Sequence, residues 1–331
     1  MKTFPEVSRP AFAAVAIGRN EGGRLRRCLQ SIATASPLVY VDSGSEDGSC
    51  EWACRVGATV INLDLAKPFT AARARNAGFK AIEAHDSEFR YVQFIDGDCE
   101  MVEDWPHEGI CFLESHPEVA AVAGRRRERL PERSVYNWLC DCEWAGPAGE
   151  ARSFGGDVMI RRAAFEAVGG YRGDMIAGEE PELAVRLRAA GWHIWRLERE
   201  MTIHDAEMLR FGQWWRRSLR GGYAYALGVH LHGSSPERHK VRESRRAWFW
   251  GFLLPIGCIL AEFCFGFVGA LLWLVYPFQI VRLTLSRTGP LGDRLTLAFF
   301  QTLAKFPEAL GQINFRLDRI LGRHRRLIEY K

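Results

Sequence analysis

The first half of the chain alternates short apolar runs with segments of helical periodicity. Four runs have the length and composition of buried strands, and they occupy residues 13–17, 38–41, 59–63 and 91–95. Apolar residues at helical spacing lie between these runs. Strict alternation of strand and helix predicts an α/β fold, in which a doubly wound, mostly parallel sheet is covered by helices on both faces.

Polar clusters follow three of the predicted strands. They are Arg19-Asn20-Glu21, the turn at residues 42–48, and Asp96-Gly97-Asp98. Ligands of open α/β sheets bind beyond the carboxyl ends of the strands, so these clusters predict where the site lies. Two carboxylates around a glycine suit Mg²⁺ or Mn²⁺, because hard cations prefer oxygen ligands. Acidic turns are also common after strands in general, so this motif alone is weak.

The alternation loosens beyond Asp98. We predict strands at residues 119–123 and 154–160, with an aromatic-rich helix or loop at 134–144 between them. A helix is predicted to open at Pro181 and to end at Ala190, because proline favours the first helical position and glycine the position just past the end.

A long apolar run begins at Ala247 and ends at Val281, with Glu262 as its only ionised side chain. As one helix it would be about 50 Å long, against roughly 30 Å for the hydrocarbon core of a bilayer. Two passes divided near residues 262–266 fit better. Arginines at both ends of the run place both ends in the cytosol, which predicts a membrane hairpin; they are Arg245, Arg246, Arg282 and Arg287. A pair of buried helices in a soluble domain is the alternative.

The position of the basic residues is more informative than the formal net charge of +4. Basic stretches at residues 210–246 and 316–331 flank the apolar run, which favours an anionic membrane surface over nucleic acid. The last stretch is expected to form a basic amphipathic helix on the bilayer. No apolar segment follows Met1, so we expect no signal peptide and an N-terminal region on the cytosolic side of the inner membrane. The cysteines lack metal-site spacing and are expected to be free thiols.

Several short motifs occur in an order that resembles the family-2 glycosyltransferases of the GT-A fold. They are VAIGRNE at 15–21, VDSGSEDG at 41–48, ARNAG at 74–78, DGD at 96–98, the segment 155–171 with its paired glycines, and GEEPEL at 178–183. Each motif is weak alone, but their order is specific, and the similarity covers roughly residues 10 to 225. The resemblance implies a nucleotide-sugar donor, with a UDP-sugar expected first, and a divalent cation, Mn²⁺ or Mg²⁺.

The resemblance also implies roles for individual residues at the cation. Asp98 would bind the cation, Asp96 would hold the ribose or share the cation, and His204 would be a third ligand. A purely structural histidine is the alternative for His204.

A second set of residues is placed beside the donor by the same resemblance. Arg75, with Arg73 as the second candidate, would pair with the donor, although both could instead lie on a solvated helix face. The donor-binding set is Asn20, Glu21, Asp42, Arg73, Arg75, Asp96, Gly156 and Arg217.

Glu180 is predicted to be the general base, with Glu179 as the second candidate. It stands at the start of the predicted helix, where the helix dipole favours an ionised carboxylate that can accept a proton. The alternative is that both glutamates merely cap the helix.

Three departures from the family pattern affect these expectations. Ser43 follows Asp42 where the family often has a second acid, which puts the contact with the donor base in doubt. Glu180 stands where aspartate is usual. Arg217 replaces the tryptophan of the Q-x-x-R-W motif, which argues against processive polymer synthesis.

These observations predict an inverting glycosyltransferase that acts on a glycan or lipid-linked acceptor in cell-surface or exopolysaccharide synthesis. Transfer to a polyprenyl phosphate is the alternative within the fold. A sugar nucleotidyltransferase would want a glycine- and lysine-rich phosphate loop, which residues 18–23 lack, and a non-catalytic membrane scaffold is a further alternative. The predicted regions are a catalytic GT-A domain at 1–225, a basic linker at 226–246, an apolar membrane hairpin at 247–285 and amphipathic basic helices at 286–331.

Overall fold

The computed structural model describes residues 12–85 and 88–322, which divide between Glu207 and Met208 into two compact units. The predicted domain boundary at residue 225 falls inside a helix of the second unit that spans Phe211–His232. The predicted linker at 226–246 is largely helical as well, because a further helix spans Val241–Trp248.

The described strands of the first unit form one nine-stranded sheet. They are β1 Phe12–Gly18, β2 Leu38–Asp42, β3 Thr59–Asn62, β4 Tyr91–Asp96, β5 Cys99–Met101, β6 Val119–Glu128, β7 Gly149–Glu150, β8 Val158–Arg161 and β9 His193–His204. The sheet order is β3-β2-β1-β4-β8-β6-β9-β5, and β7 pairs with β9. Pairing is parallel from β3 to β4 and between β6 and β9, whereas β8, β5 and β7 pair antiparallel.

Helices follow the strands in the predicted alternation. They are α1 Gly23–Ser31, α2 Ser49–Arg55, α3 Ala71–Glu83, α4 Trp105–Ser115, α5 Val135–Trp144, α6 Arg162–Ala167 and α7 Glu179–Ala189. The hydrophobic core lies between these helices and the sheet, and β1 contributes a run of buried residues to it. The predicted α/β class with a mostly parallel sheet is confirmed.

Two boundaries differ from the sequence prediction near the site. The strand expected at 154–160 begins only at Val158, because Gly155 and Gly156 supply no side chains to pack in a sheet. The helix expected from Pro181 begins at Glu179, after Gly178 with φ of 80°. Proline is tolerated in this first turn because its missing N–H has no helical acceptor there.

The described residues of the second unit form helices joined by short turns. Its helices are α8 Phe211–His232, α9 Val241–Trp248, α10 Leu254–Phe265, α11 Phe267–Ala270, α12 Val275–Leu285, α13 Leu291–Leu303 and α14 Lys305–Ile320. A π-helical turn at Phe249–Leu253 joins α9 to α10 in one continuous helix. Buried polar contacts hold α9 to α14, because Ser244 Oγ donates to Gln312 Oε1 at 2.5 Å.

The predicted apolar hairpin is present among the described residues as two helices long and apolar enough to cross a membrane, Val241–Phe265 and Phe267–Leu285. They part at Gly266, whose φ of 57° is readily adopted by glycine. Only 6% and 11% of the most apolar 18-residue stretch of each helix is buried, whereas the core helices of a soluble domain would be mostly buried. Part of the predicted basic helix at 316–331 is seen in α14, and residues 323–331 lie outside the described part of the chain.

Candidate active site

Parallel pairing brings the carboxyl ends of β1, β2 and β4 to one edge of the sheet. Gly18 is the register partner of Asp42, and Ile17 is the partner of Asp96. The polar clusters that follow these strands therefore converge at this edge, as the sequence predicts.

Asn20 shapes the first of the converging loops. Its side-chain Oδ1 accepts from the Glu46 N–H at 2.8 Å, and its own N–H donates to Ser45 Oγ at 2.8 Å. The Gly22 N–H donates to Asp47 Oδ2 at 2.8 Å, which adds a second link between the two loops. Asn20 has φ of 55°, a region that asparagine tolerates better than most residues. The loops after β1 and β2 are thus joined into one platform.

Asp42 is buried at the end of β2 with both carboxylate oxygens engaged. Tyr40 donates its hydroxyl to Oδ1 at 2.9 Å, while the N–H groups of Gly44 and Ser45 donate to Oδ2, each at 2.8 Å. Burial alone raises the pKa of Asp42, but hydrogen bonds, led by those from Ser45, outweigh burial and hold the pKa below its usual value. The visible role of Asp42 is therefore to fold the turn that follows β2.

Arg75 is the centre of the charge network. It is 2% exposed and donates to Asp96 Oδ1 at 2.8 Å, to Glu180 Oε1 at 3.1 Å and to Glu179 Oε1 at 3.3 Å. The side chain of Thr70 caps α3 by accepting from the Arg73 N–H at 3.0 Å, which fixes the helix that carries Arg75. One guanidinium thus links the predicted donor aspartate to both predicted base candidates.

Gly156 permits the contact between Asp96 and Arg75. A Cβ atom at this position would lie 2.6 Å from Arg75 Nη2 and 2.9 Å from Asp96 Oδ1, and closer still to Asp96 Oδ2. Real Cβ atoms do not approach other atoms this closely. Gly156 was predicted at the donor, and its visible function is to leave room for this ion pair.

Arg126, on β6, completes the surroundings of Asp96 and was not predicted. It lies 3.3 Å from Asp96 Oδ2 and 2.8 Å from Asp157 Oδ2, and its guanidinium carbon lies 5.4 Å from the Trp144 ring centroid. Asp157 is 1% exposed and also accepts from the Asp96 N–H at 2.9 Å and the Thr202 hydroxyl at 2.6 Å. Burial raises the pKa of Asp96, but Arg75 and Arg126 outweigh it, so the pKa lies well below its usual value. Asp96 is therefore an anion at neutral pH.

The surroundings of Glu180 raise the pKa of its carboxyl. Burial raises its pKa first, the neighbouring Glu179 carboxylate raises it further, and Arg75 partly opposes them, so the pKa reaches about 7. Glu180 is therefore not held fully ionised, as its place at the helix start suggested, but is poised near neutrality, where a general base works best.

A candidate metal site lies at the start of β5. Ligand atoms of Asp98, Cys99 and His204 all lie within 4.8 Å of one another, and all three residues are buried. His204 Nε2 is 3.3 Å from Asp98 Oδ2. A carboxylate oxygen and an imidazole nitrogen form a donor set that fits Mn²⁺. The structure thus brings the predicted ligands Asp98 and His204 together, while the oxygens of the third, Asp96, face two arginines.

Other predicted residues lie outside this network. Arg73 donates to the backbone carbonyls of Asp64, Lys67 and Pro68 at 3.0, 3.0 and 2.6 Å, so it orders a loop. Glu21 pairs with Arg24 at 2.9 Å. Arg217 lies on α8 in the second unit.

The missed residues differ in the signals that the sequence offers. Arg126 is the middle residue of an arginine run at 125–127 on a strand, where neighbouring side chains alternate between faces. Asp157 directly follows the predicted glycine pair. Glu128 accepts from the Ala206 N–H at 3.1 Å and lies 3.5 Å from His204 Nδ1, and no motif marks it.

The fold and this cluster of acids define a GT-A type domain, and comparisons with known proteins agree. Mannosyltransferase PcManGT from Pyrobaculum calidifontis, solved with GDP-Man and Mn²⁺, has a TM-score of 0.63 at 16% identity, with 93% of this chain and 88% of that chain covered. TarS 1–349 from S. aureus has a TM-score of 0.51 at 13% identity, with 95% of this chain and 92% of that chain covered. At these identities the likeness is one of fold.

The sequence of the first unit carries the family signal. Residues 15–144 match the family described as Glycosyl transferase family 2. Over this segment, which is less than half of the chain, the sequence is similar to glycosyltransferase family 2, and this match together with the GT-A fold indicates an enzyme of the glycosyltransferase class.

Proposed function

We propose that the chain moves a sugar from a nucleoside diphosphate donor to an acceptor hydroxyl, with inversion at the anomeric carbon. The observation that supports this most is the chain of contacts from Asp96 through Arg75 to Glu180. It places a carboxyl with a pKa of about 7 next to the edge of the sheet where the donor is expected.

In this proposal each side chain has a separate task. Asp96, held as an anion by Arg75 and Arg126, accepts hydrogen bonds from hydroxyl groups of the donor. Glu180 accepts the proton of the acceptor hydroxyl as its oxygen attacks the anomeric carbon, and direct displacement inverts the configuration. A divalent cation, Mn²⁺ or Mg²⁺, held by Asp98 and His204 would neutralise the diphosphate leaving group.

We propose UDP as the nucleotide of the donor. The platform made by the Asn20 loop and the Asp42 turn supports a nucleotide site, but its contacts are internal and select no base. PcManGT was solved with GDP-Man, so UDP and GDP are the two donors to compare. We also propose that Glu21 and Arg217 contact the donor.

The exposed apolar helices of the second unit support action at a membrane. We propose that the hairpin anchors the enzyme at the inner membrane, with the catalytic unit in the cytosol and a glycan or lipid-linked acceptor. The same exposed helices favour the second candidate, a polyprenyl-phosphate acceptor. A phosphate is already ionised, so Glu180→Gln would leave most activity in that case, whereas activity on a hydroxyl acceptor would collapse.

Thermal unfolding with nucleotides tests the donor and the cation together. UDP at one hundred times its dissociation constant stabilises a protein by about 2.7 kcal/mol, and we expect this shift with Mn²⁺ present and its loss in Asp98→Ala. Asp104→Ala is the control, because Asp104 is exposed at the start of α4 and makes no capping bond. Equal stabilisation in EDTA, or in Asp98→Ala, would contradict the cation's role. If GDP stabilised the protein more than UDP, the donor would be a GDP-sugar instead.

A further inference from the structure

Strand pairing places His204 between two acidic residues. His204 is the register partner of Cys99 on β5, which follows Asp98, and of Glu128 on β6. Asp98, just before β5, and Glu128, on β6, therefore approach His204 from the two sides of β9.

The two imidazole nitrogens face different carboxylates. Nε2 lies 3.3 Å from Asp98 Oδ2, and Nδ1 lies 3.5 Å from Glu128 Oε2. The Trp144 ring meets the imidazole edge to face, with centroids 4.8 Å apart. The ring orientation is therefore set on three sides.

Glu128 is itself held firmly. Its side chain has no solvent exposure. Its Oε2 accepts from the Ala206 N–H at 3.1 Å, and its Oε1 accepts from Asn137 Nδ2 at 3.2 Å and from the Leu130 N–H at 3.4 Å. Both oxygens accept N–H donors, so this carboxylate acts towards His204 as an acceptor.

An acceptor beside Nδ1 decides which nitrogen carries the proton. Neutral imidazole has one N–H donor and one lone-pair acceptor. With Glu128 accepting from Nδ1–H, the Nε2 lone pair points towards Asp98. Carboxylates that orient a ligating histidine in this way raise the metal affinity of the site.

We propose that Glu128 is a positioning residue, which fixes the tautomer and orientation of His204 so that Nε2 and Asp98 bind one divalent cation. This inference rests on the metal site of the proposed function. It adds a residue that touches neither substrate nor cation.

Manganese binding to the full-length protein tests it without any turnover. Free Mn²⁺ is counted by electron paramagnetic resonance in titrations of wild type, Glu128→Gln, His204→Ala and the double variant. Glu128→Gln should weaken Mn²⁺ binding about ten- to one-hundred-fold. In the His204→Ala background it should cause no further loss, because the residue through which Glu128 acts is gone.

A purely structural role predicts a different result. Glu128→Gln would then weaken binding equally in both backgrounds, or not at all, and either result overturns the inference. Glu182→Gln is the matched control, because Glu182 is also a buried glutamate, 1% exposed, and pairs with Arg186 at 2.7 Å. We expect it to lower the unfolding temperature and to leave Mn²⁺ affinity unchanged.

The tautomer is also measurable in wild type, which covers the case in which Glu128→Gln does not fold. Nitrogen-15 NMR of labelled histidine in the Mg²⁺-saturated protein should show His204 with a protonated Nδ1 and no proton on Nε2. The opposite tautomer overturns the inference. Wild type that binds no Mn²⁺ refutes the metal site of the proposed function as well, whereas normal binding with an unaffected Glu128→Gln refutes this inference alone.

Discussion

Gly156→Ala tests the packing of the charge network through a single methyl group. The added Cβ would lie 2.6 Å from Arg75 Nη2 and 2.9 Å from Asp96 Oδ1, whose own contact is 2.8 Å. Since neither approach is tolerated, the pair must separate. A hydrogen bond between charged groups contributes about 1.5–3 kcal/mol. Asp96 keeps Arg126 and Arg75 keeps its two glutamates, so the cost should stay below the ~3–5 kcal/mol of a buried pair that loses one partner.

We therefore expect Gly156→Ala to destabilise the first unit by about 2 kcal/mol, which lowers its unfolding temperature by roughly 4–8 °C. Thermal unfolding followed by circular dichroism measures this, and nucleotide titration should show weaker donor binding because Asp96 is displaced. Gly155→Ala is the matched control, since a Cβ there meets nothing within 4 Å. The reasoning is refuted if both variants unfold at the wild-type temperature, or if Gly155→Ala is equally destabilised.

Three further perturbations test the base, the arginine and the hairpin. The transfer rate should rise as pH increases through about 7, because the Glu180 carboxyl is protonated below its raised pKa and then cannot accept a proton. The residual rate of Glu180→Gln should not depend on pH in this range, and a wild-type rate that is equally independent of pH would argue against Glu180 as the base. Arg75→Lys should cost about 3 kcal/mol in thermal unfolding, because a single ammonium cannot serve three carboxylates, whereas Arg73→Lys should cost about 1 kcal/mol; equal costs would contradict the assignment of the network. Cys264 is exposed near the hairpin turn, so a membrane-impermeant maleimide should label it from the side of the membrane opposite the catalytic unit. The Cys264→Ser variant should not be labelled from that side, and labelling of Cys264 from the catalytic side would contradict a membrane-crossing hairpin.

The fold was predictable where local pattern and topology agree. Alternating strands and helices through Ile95 gave the parallel half of the sheet, because each buried strand is a short apolar run. The break at Gly266 was predictable because a single helix formed by this apolar run would be longer than the hydrocarbon core of a bilayer is thick. The second half of the sheet was harder, since the long strand β9 mixes charged and apolar residues and its partners are distant in sequence.

The candidate site was predictable where residues follow strands in recognisable motifs. Asp96, Asp98 and Arg75 belong to such motifs, and the structure brings Asp96 and Arg75 into contact. Glu128 and Arg126 lie on β6 without a motif, and only strand pairing reveals that they face His204 and Asp96. The role of Arg73 was also not predictable, because Arg73 and Arg75 are only two residues apart on one helix, yet Arg73 orders a loop and Arg75 is buried.

The charge count of the network bears on the order in which ligands bind. Four carboxylates, those of Asp96, Asp157, Glu179 and Glu180, share the guanidinium groups of Arg75 and Arg126. With Glu180 only partly ionised near pH 7, these groups still carry a net negative charge. A nucleoside diphosphate that arrives without a counter-ion therefore meets repulsion at the edge of the sheet where the donor is proposed to bind. Cation and donor should accordingly each tighten the binding of the other by the same factor, as thermodynamic reciprocity demands.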